Sequence, residues 1–364
     1  MRLIHILSSS FWGGREQYAL DICRAYGRQG WNVSAFTRDA SAVDAPFREA
    51  GIRVRHLPLG GYSDMVTMMH LAGALRHTER GTVLHTHTFR DSFLALSARR
   101  LSWRRDIRVV MTCHRVDASK DTPLRRRILR NLHALIFPSK LAADTFLSTW
   151  RPGDLPLPEQ RVHIIHNSAY LPEEPSTRMP SGPIVAAYYG RVVNGKGLET
   201  LIECAPALRG HRMRLCIAGP GDPDFLDSLK RLAGRLDVMD LIDWRGTSLS
   251  PEQVVAQAHI GLCPSLVPES FGQNTALFMA HGRPLIATRN GAQTEYLTDG
   301  VEALLIPPAD REALTEALLS LADLPTPADA AALRSRLGAA AHDRFAATLS
   351  WPRFAAALTP LYTD

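Results

Sequence analysis

Short apolar runs recur along the chain, and each is followed by a loop and then by a segment with helical spacing. The first series is "RLIHIL" (2–7), "VSAF" (33–36), "VRHL" (54–57), "TVLHT" (82–86), "RVVMTC" (108–113), "ALIFP" (134–138) and "VHIIH" (162–166). Between the first two, Ala19, Ile22, Cys23 and Tyr26 fall on one helical face that ends at Gly30. Alternation of strand and helix at this spacing predicts a parallel sheet covered by helices on both faces.

The alternation breaks once. "YLPEEPSTRMPSGP" (170–183) holds four prolines and no apolar period, which predicts an interdomain linker over 171–183. The pattern then restarts with "IVAAYY" (184–189), "MRLCIA" (213–218), "LIDW" (241–244), "HIGLC" (259–263), "PLIAT" (284–288) and "ALLI" (303–306). Two successive doubly wound α/β domains are therefore expected, at 1–170 and 184–345. A C-terminal helical segment, 346–364, is expected to pack back on the first domain. A chain of 364 residues that is 45% hydrophobic has enough apolar material for two cores. In doubly wound sheets ligands bind outside the carboxyl ends of the strands, so a ligand shared by two such domains is expected in the cleft between them.

No window reaches the 18 or so apolar residues of a spanning helix, and the start "MRLIHILSSSFWGG" reads as a strand rather than a leader peptide. The expectation is a cytoplasmic protein. Cys23, Cys113, Cys204, Cys216 and Cys263 form no C-x-x-C pair and read as buried, reduced thiols. A net charge of +6 points to an anionic partner without choosing among phosphorylated substrate, lipid and nucleic acid.

Glycine-rich loops stand where strands end. "SSSFWGGREQ" puts Gly13 and Gly14 between a strand and a helix, where the backbone can approach an anion at the helix N-terminus; an unliganded tight turn is the alternative. The loop is not a full G-x-G-x-x-G fingerprint. In "YYGRVVNGKGLETL", Arg191 follows Gly190 at a strand end and Lys196 lies five residues later in a glycine-bounded loop. Two cations beside a helix N-terminus suit a diphosphate, because Arg grips two oxygens and Lys adds a compact charge. "IAGPGDPDF" adds Gly219 and Gly221, with Asp222 and Asp224 read as cap and dipole residues rather than metal ligands.

Histidines cluster at strand ends in the first domain. His85 and His87, at i and i+2, lie on one side of a strand, but no third ligand is spaced to complete a metal site. His114, in "TCHRVD", is read either as a hydrogen-bond donor to a substrate hydroxyl or phosphate or as a structural histidine. Arginines crowd "ARRLSWRRDIR" (98–108) and "KDTPLRRRILRNL" (120–132). In the second stretch Thr122 and Pro123 start a helix with Leu124, Ile128, Leu129, Leu132 and Leu135 on one face. The opposite arginines, across the Arg99–Arg130 region, face either an anionic membrane surface or plain solvent. Without interleaved aromatics they do not read as a nucleic-acid site.

Taken in order, "FWGGREQ", "TCHRVD", "IIHNS", "YGRVVNGKGLETL", "IAGPGD" and "PESFGQNTALFMAHGRPLIATRNGAQTEYLTDG" resemble the retaining nucleotide-sugar glycosyltransferases of GT-B architecture, family 4. The resemblance spans almost the whole chain. It implies two Rossmann-like domains, a nucleotide-sugar donor as substrate, a glycan or lipid-linked acceptor of cell-surface polysaccharide or lipopolysaccharide type, and neither metal nor cofactor. Arg191 and Lys196 would neutralise the diphosphate, Glu269 would bind the sugar hydroxyls, and His114 would contact the transferred sugar. Gly13, Gly14, Gly190, Gly219, Phe271, Gly272, Gln273 and Asn274 would line the donor. Domain closure would exclude water.

One departure stands out. The family usually carries a second glutamate eight residues after the first, for the ribose hydroxyls, and here that position is Leu277. Losing a charged hydrogen bond of that kind costs about 1.5–3 kcal/mol of binding. The departure motivates a second reading, a degenerate relative that binds nucleotide or glycan and assists a partner enzyme. A nucleotide-sugar epimerase is a third, which the Arg191–Lys196 loop fits less well.

Overall fold

The computed structural model describes residues 1–39, 41–171 and 175–363. Within it the chain divides into two compact units, one of Met1–Tyr170 with Trp351–Asp364 and one of Leu171–Ser350. Residues 172–174 of the expected linker, and residue 364 of the expected C-terminal helix, lie outside the described residues.

The first unit is built on a seven-stranded sheet, parallel throughout: β1 (Arg2–Leu7), β2 (Asn32–Thr37), β3 (Arg53–His56), β4 (Val83–Thr86), β5 (Arg108–Thr112), β6 (Ala134–Phe137) and β7 (Val162–Ile164), in the order β3-β2-β1-β4-β5-β6-β7. Successive side chains leave a strand on opposite faces, which explains two separate cores. Ile4 and Ile6 pack with Leu84, Val109 and Met111 against Leu71, Leu75, Leu94 and Ala98 of the helices Met65–Arg76 and Phe89–Leu101. Leu3, Val83, Val110 and Ile136 face the other way, toward Tyr18, Ile22 and Tyr26 of the helix Gly14–Arg28.

The C-terminal segment completes that second face. Phe354, Leu358 and Tyr362 are buried in the same cluster, and Trp351 packs against it. Tyr26 and Thr359 share a hydrogen bond at 2.8 Å, and the Arg108 guanidinium donates to the Tyr362 carbonyl at 2.6 Å. Burying an aromatic such as Phe354 contributes about 1.5–3 kcal/mol, so the segment is an integral part of this unit rather than a tail.

In the second unit a six-stranded parallel sheet runs β10-β9-β8-β11-β12-β13, with β8 (Ile184–Tyr189), β9 (Met213–Ala218), β10 (Ile242–Gly246), β11 (Ile260–Cys263), β12 (Leu285–Thr288) and β13 (Ala303–Ile306). Its core joins Ala186, Leu215, Ile217, Ile260, Leu262 and Ile286 to Leu201, Ile202, Leu314 and Leu318 of the flanking helices. Arg283 is only 1% exposed, and its guanidinium donates to the carbonyls of Val255, Thr177 and Arg178. Part of the stretch read as linker is thereby tied to a packed body: the buried cation satisfies its donors on that backbone.

Three local expectations need correction or refinement. The helix begun by Thr122, whose hydroxyl accepts from the Arg125 N–H, ends at Asn131; Leu132 is extended and Leu135 belongs to β6. Cys23, Cys204 and Cys216 are buried, whereas Cys113 and Cys263, at the ends of β5 and β11, are partly exposed; all five are free thiols. Asp222 caps the helix Pro223–Arg235, accepting from the Phe225 N–H at 3.0 Å.

Candidate active site

Each sheet reverses its strand order at one place, between β1 and β4 and between β8 and β11, and ligands of such folds bind at the carboxyl ends flanking the reversal. In the second unit the two flanking loops carry Arg191 and Lys196 after β8 and Glu269 after β11. Lys196 Nζ and Glu269 Oε1 form an ion pair with side chains 16% and 29% exposed. The structure thus joins two residues that the sequence placed 73 positions apart. Arg191 is exposed next to the pair's loop, and its carbonyl accepts from the buried Tyr188 hydroxyl at 2.8 Å.

Close backbone contacts hold these loops. Gly197 has φ of 72°, and a Cβ there would lie 1.9 Å from the Pro264 carbonyl oxygen, so only glycine lets the lysine loop lie on the loop after β11. A Cβ on Gly219, at φ 122°, would meet the Gly190 oxygen at 2.1 Å, which seats the loop after β9 beneath that after β8. The N–H of Leu266 donates to the Gly195 carbonyl at 2.9 Å, and Val192 and Asp222 are joined N–H to carbonyl. Behind Glu269, the Ala292 N–H donates to the Glu269 carbonyl at 2.9 Å.

The expected donor-lining residues divide in two. Gly272 opens the helix Gln273–Ala280 in the left-handed region, with Gln273 at its first position. Phe271 is buried against Tyr296, whose hydroxyl donates to the Phe271 carbonyl, and the Asn274 amide donates to the Tyr189 carbonyl at 2.6 Å. Asn274 and Phe271 therefore spend these groups on positioning the helix start. Leu277 is 6% exposed, one turn after Gln273 on the same helical face.

The first unit has a different reversal. Gly13 is extended (φ −165°), a conformation open to any residue, and precedes a helix with no side-chain cap. The expectation that Gly13 and Gly14 leave this end open to an anion meets a carboxylate already there. Glu16, 3% exposed, pairs with Arg15 at 2.7 Å and lies 3.3 Å from where a Gly13 Cβ would be. Around the ends of β1, β4 and β5, His5, His85, His87 and His114 gather with ring centroids 4.8–5.3 Å apart from neighbour to neighbour. His5 Nδ1 lies 3.0 Å from His87 Nε2, and His87 Nδ1 lies 3.0 Å from His114 Nε2. His85 bonds the Tyr362 hydroxyl (2.6 Å) and the Thr112 hydroxyl (2.8 Å). Burial holds all four well below the ordinary imidazole value, with His5 and His114 at about 3, and Arg15 adds to the effect at His87 and His114. The rings are hydrogen-bonded as neutral groups.

Several clustered arginines are engaged with the protein itself. Arg104 pairs with Asp106 and donates to the carbonyls of Leu75, Thr78 and Glu79. Arg99 donates to the Ile107 carbonyl. Arg125 stacks over Phe89, and Arg126 over Trp150 while pairing with Asp121. The exposed remainder is Arg100, Arg105, Arg127 and Arg130.

Family models describe both halves: residues 13–168 match the Glycosyl transferase 4-like domain, and residues 183–323 match Glycosyl transferases group 1. The chain belongs to the group 1 glycosyltransferases. Among relatives of this glycosyltransferase, the D-inositol 3-phosphate glycosyltransferase of Mycolicibacterium paratuberculosis is 27% identical over 395 aligned positions, gaps included, which cover 96% of this chain and 85% of that protein. The protein of the same description from Mycolicibacterium smegmatis is 26% identical over 338 aligned positions, gaps included, covering 81% of this chain and 75% of its own. Anabaena Alr3699/HepE, solved with UDP and glucose, superposes with a TM-score of 0.80 at 14% identity over 99% of this chain and 98% of its own. The lipopolysaccharide outer core galactosyltransferase WaaB superposes with a TM-score of 0.68 at 14% identity, covering 99% of both chains. These structural likenesses carry the fold, and the glycosyltransferase has the two parallel-sheet Rossmann-like domains of GT-B.

Sequence reasoning missed the residues that brace the glycosyltransferase's acidic loop. Asn290 donates to the carbonyls of Ser265 and Leu266, both at 3.0 Å, and the Thr288 hydroxyl donates to Ser265 at 2.7 Å. The signal available was the Asn290-Gly291 turn dipeptide after a strand. The histidine chain was missed because His5 and His87 stand 82 residues apart in sequence and meet only through the register of β1 against β4.

Proposed function

We propose that the enzyme transfers a sugar from a nucleotide-diphosphate sugar to a glycan or lipid-linked acceptor, with retention and without a metal ion. The observation that carries this reading is the Lys196–Glu269 ion pair on braced loops at the strand-order reversal of the second unit. A diphosphate competes with Glu269 for Lys196, and Arg191 supplies a second cation beside it. Together they stabilise the charge that develops as the nucleoside diphosphate leaves. Glu269, released from the lysine, accepts from sugar hydroxyls; His114 keeps its reading as a contact of the transferred sugar. The curated relatives named for inositol 3-phosphate put a phosphorylated polyol among the acceptors to be tried.

Release of nucleoside diphosphate from a panel of UDP-, GDP- and ADP-sugars, with and without acceptors, tests the reading against Lys196→Ala. Turnover on one donor that the substitution abolishes supports it; equal turnover in the variant overturns it. The product anomer reads retention, and activity that survives a chelator reads metal independence.

Leu277 favours a second reading, a nucleotide- or glycan-binding relative that has lost its chemistry. Calorimetry separates the two: micromolar donor binding with product formation removes the binding-only reading, and millimolar or absent binding favours it. Association with anionic membranes, if carried by Arg100, Arg105, Arg127 and Arg130, appears as low-salt binding to anionic vesicles.

A further inference from the structure

His5, His87 and His114 form an unbranched chain of imidazoles from the middle of β1 to the loop after β5. His5 and His87 are buried and His114 is partly exposed, so the chain runs from interior to surface. A neutral imidazole has one N–H and one bare nitrogen. Two N···N contacts through His87 therefore admit only two proton arrangements: all three rings protonated at Nδ1, or all three at Nε2. In the second, His5 carries its N–H at Nε2, which is buried and has no hydrogen-bond partner. In the first, that atom is a bare lone pair and every N–H but the outermost is used. Orphaned buried donors are rarer than orphaned acceptors, because a donor sealed from water forfeits a whole hydrogen bond.

We propose that His5 and His87 are positioning residues that hold His114 as its Nδ1–H tautomer, so that His114 meets the transferred sugar as a hydrogen-bond donor to a hydroxyl oxygen. This rests on the reading of His114 as a sugar contact given above. The chain also orients the ring: His114 Nε2 is committed to His87, and the Tyr18 ring lies edge-on to His114 at 4.9 Å. His85 stands outside the relay, with its two nitrogens on Tyr362 and Thr112, and packs its ring 4.8 Å from those of His5 and His87.

Nitrogen-15 imidazole spectra of the full chain, assigned with single-histidine substitutions, test the tautomer without any assay of activity. The expected result is Nδ1–H for His114 in the wild type, loss of that single state in His87→Phe, and its return in His87→Asn, whose amide keeps a donor near the old Nδ1. An Nε2–H tautomer in the wild-type spectrum overturns the proposal, and so does an unchanged His114 in His87→Phe. If His87→Phe does not fold, the wild-type spectrum and His5→Phe decide the same point. In the glycosyltransferase assay His87→Phe is expected to lower kcat about tenfold with donor KM within about twofold, and His87→Asn to recover most of it. Wild-type turnover by His114→Ala removes the sugar contact and with it the functional half of the proposal, while the spectra still report whether the relay sets the tautomer.

Discussion

The two units share a strand order and differ in what they place at its reversal. In the second, backbone glycines bring two loops together and the side chains that meet are charged, Lys196 with Glu269. In the first, the same position holds neutral imidazoles: His5, His85 and His87 are buried, His85 bonds Tyr362, and His114 is partly exposed beside Tyr18. The lesson concerns solvent. A partly exposed ion pair can exchange partners with an incoming anion at little desolvation cost, whereas a buried ring cannot charge and so can serve only through the geometry of its hydrogen bonds.

Acid separates the units most sharply. His5 and His114 have folded-state values near 3 against the ordinary 6.5, and His85 and His87 are lowered in the same direction. The unfolded chain then binds more protons below 6.5, so their stabilisation is complete above that value and is lost as pH falls from 6.5 toward 3. The cost is up to about 1.4 kcal/mol per pH unit for each ring. Burial lowers His259 and His281 of the second unit in the same direction, so hydrogen exchange followed by unit at pH 7.5 and 5.5 should show both opening more at the lower pH and the first, with its four clustered rings, more than the second; equal behaviour of both units breaks the contrast.

Next in size is the charged site. Lys196→Ala is expected to lower kcat about 10²–10³-fold, the magnitude of losing one preorganised charge-stabilising donor, while leaving the first unit's exchange pattern untouched. Gly197→Ala should cost about 2 kcal/mol in urea unfolding of the second unit, because a methyl cannot share space with the Pro264 carbonyl and the left-handed backbone is strained for alanine. That variant is expected to lose donor turnover as well. A Gly197→Ala enzyme as stable and active as the wild type would mean the loops need no close contact.

Smallest is the C-terminal clasp. Tyr362→Phe removes one buried hydrogen bond to His85 and is expected to destabilise the first unit by about 1 kcal/mol in urea, with no change in the second. An effect on donor KM from this substitution would show the imidazole cluster coupled to the other site more tightly than its hydrogen bonds imply.

Legibility in the sequence followed the range of the interactions. The central strands were readable because their apolar runs are local and dictate burial on both faces, while the edge strands β3, β7 and β10 are largely exposed and were readable from their place in the alternation. Arg191, Lys196 and Glu269 stood out because glycines and prolines punctuate their loops. The end of the helix that starts at Pro123 was misjudged by continuing its apolar spacing to Leu135, which the chain's turn into β6 assigns to a strand core instead. At the basic cluster, counting charges overstated the free surface, since Arg104 caps a loop and Arg125 and Arg126 lie on aromatic rings.

By itself the sequence determined that two parallel-sheet bodies form and which loops stand at their strand ends, because hydrophobic periodicity and turn residues act within a few positions. Only the tertiary structure decided which of those loops meet. Lys196 reaches Glu269 and His5 reaches His87 through strand register and close backbone packing across 73 and 82 residues, and no local propensity encodes distances of that kind.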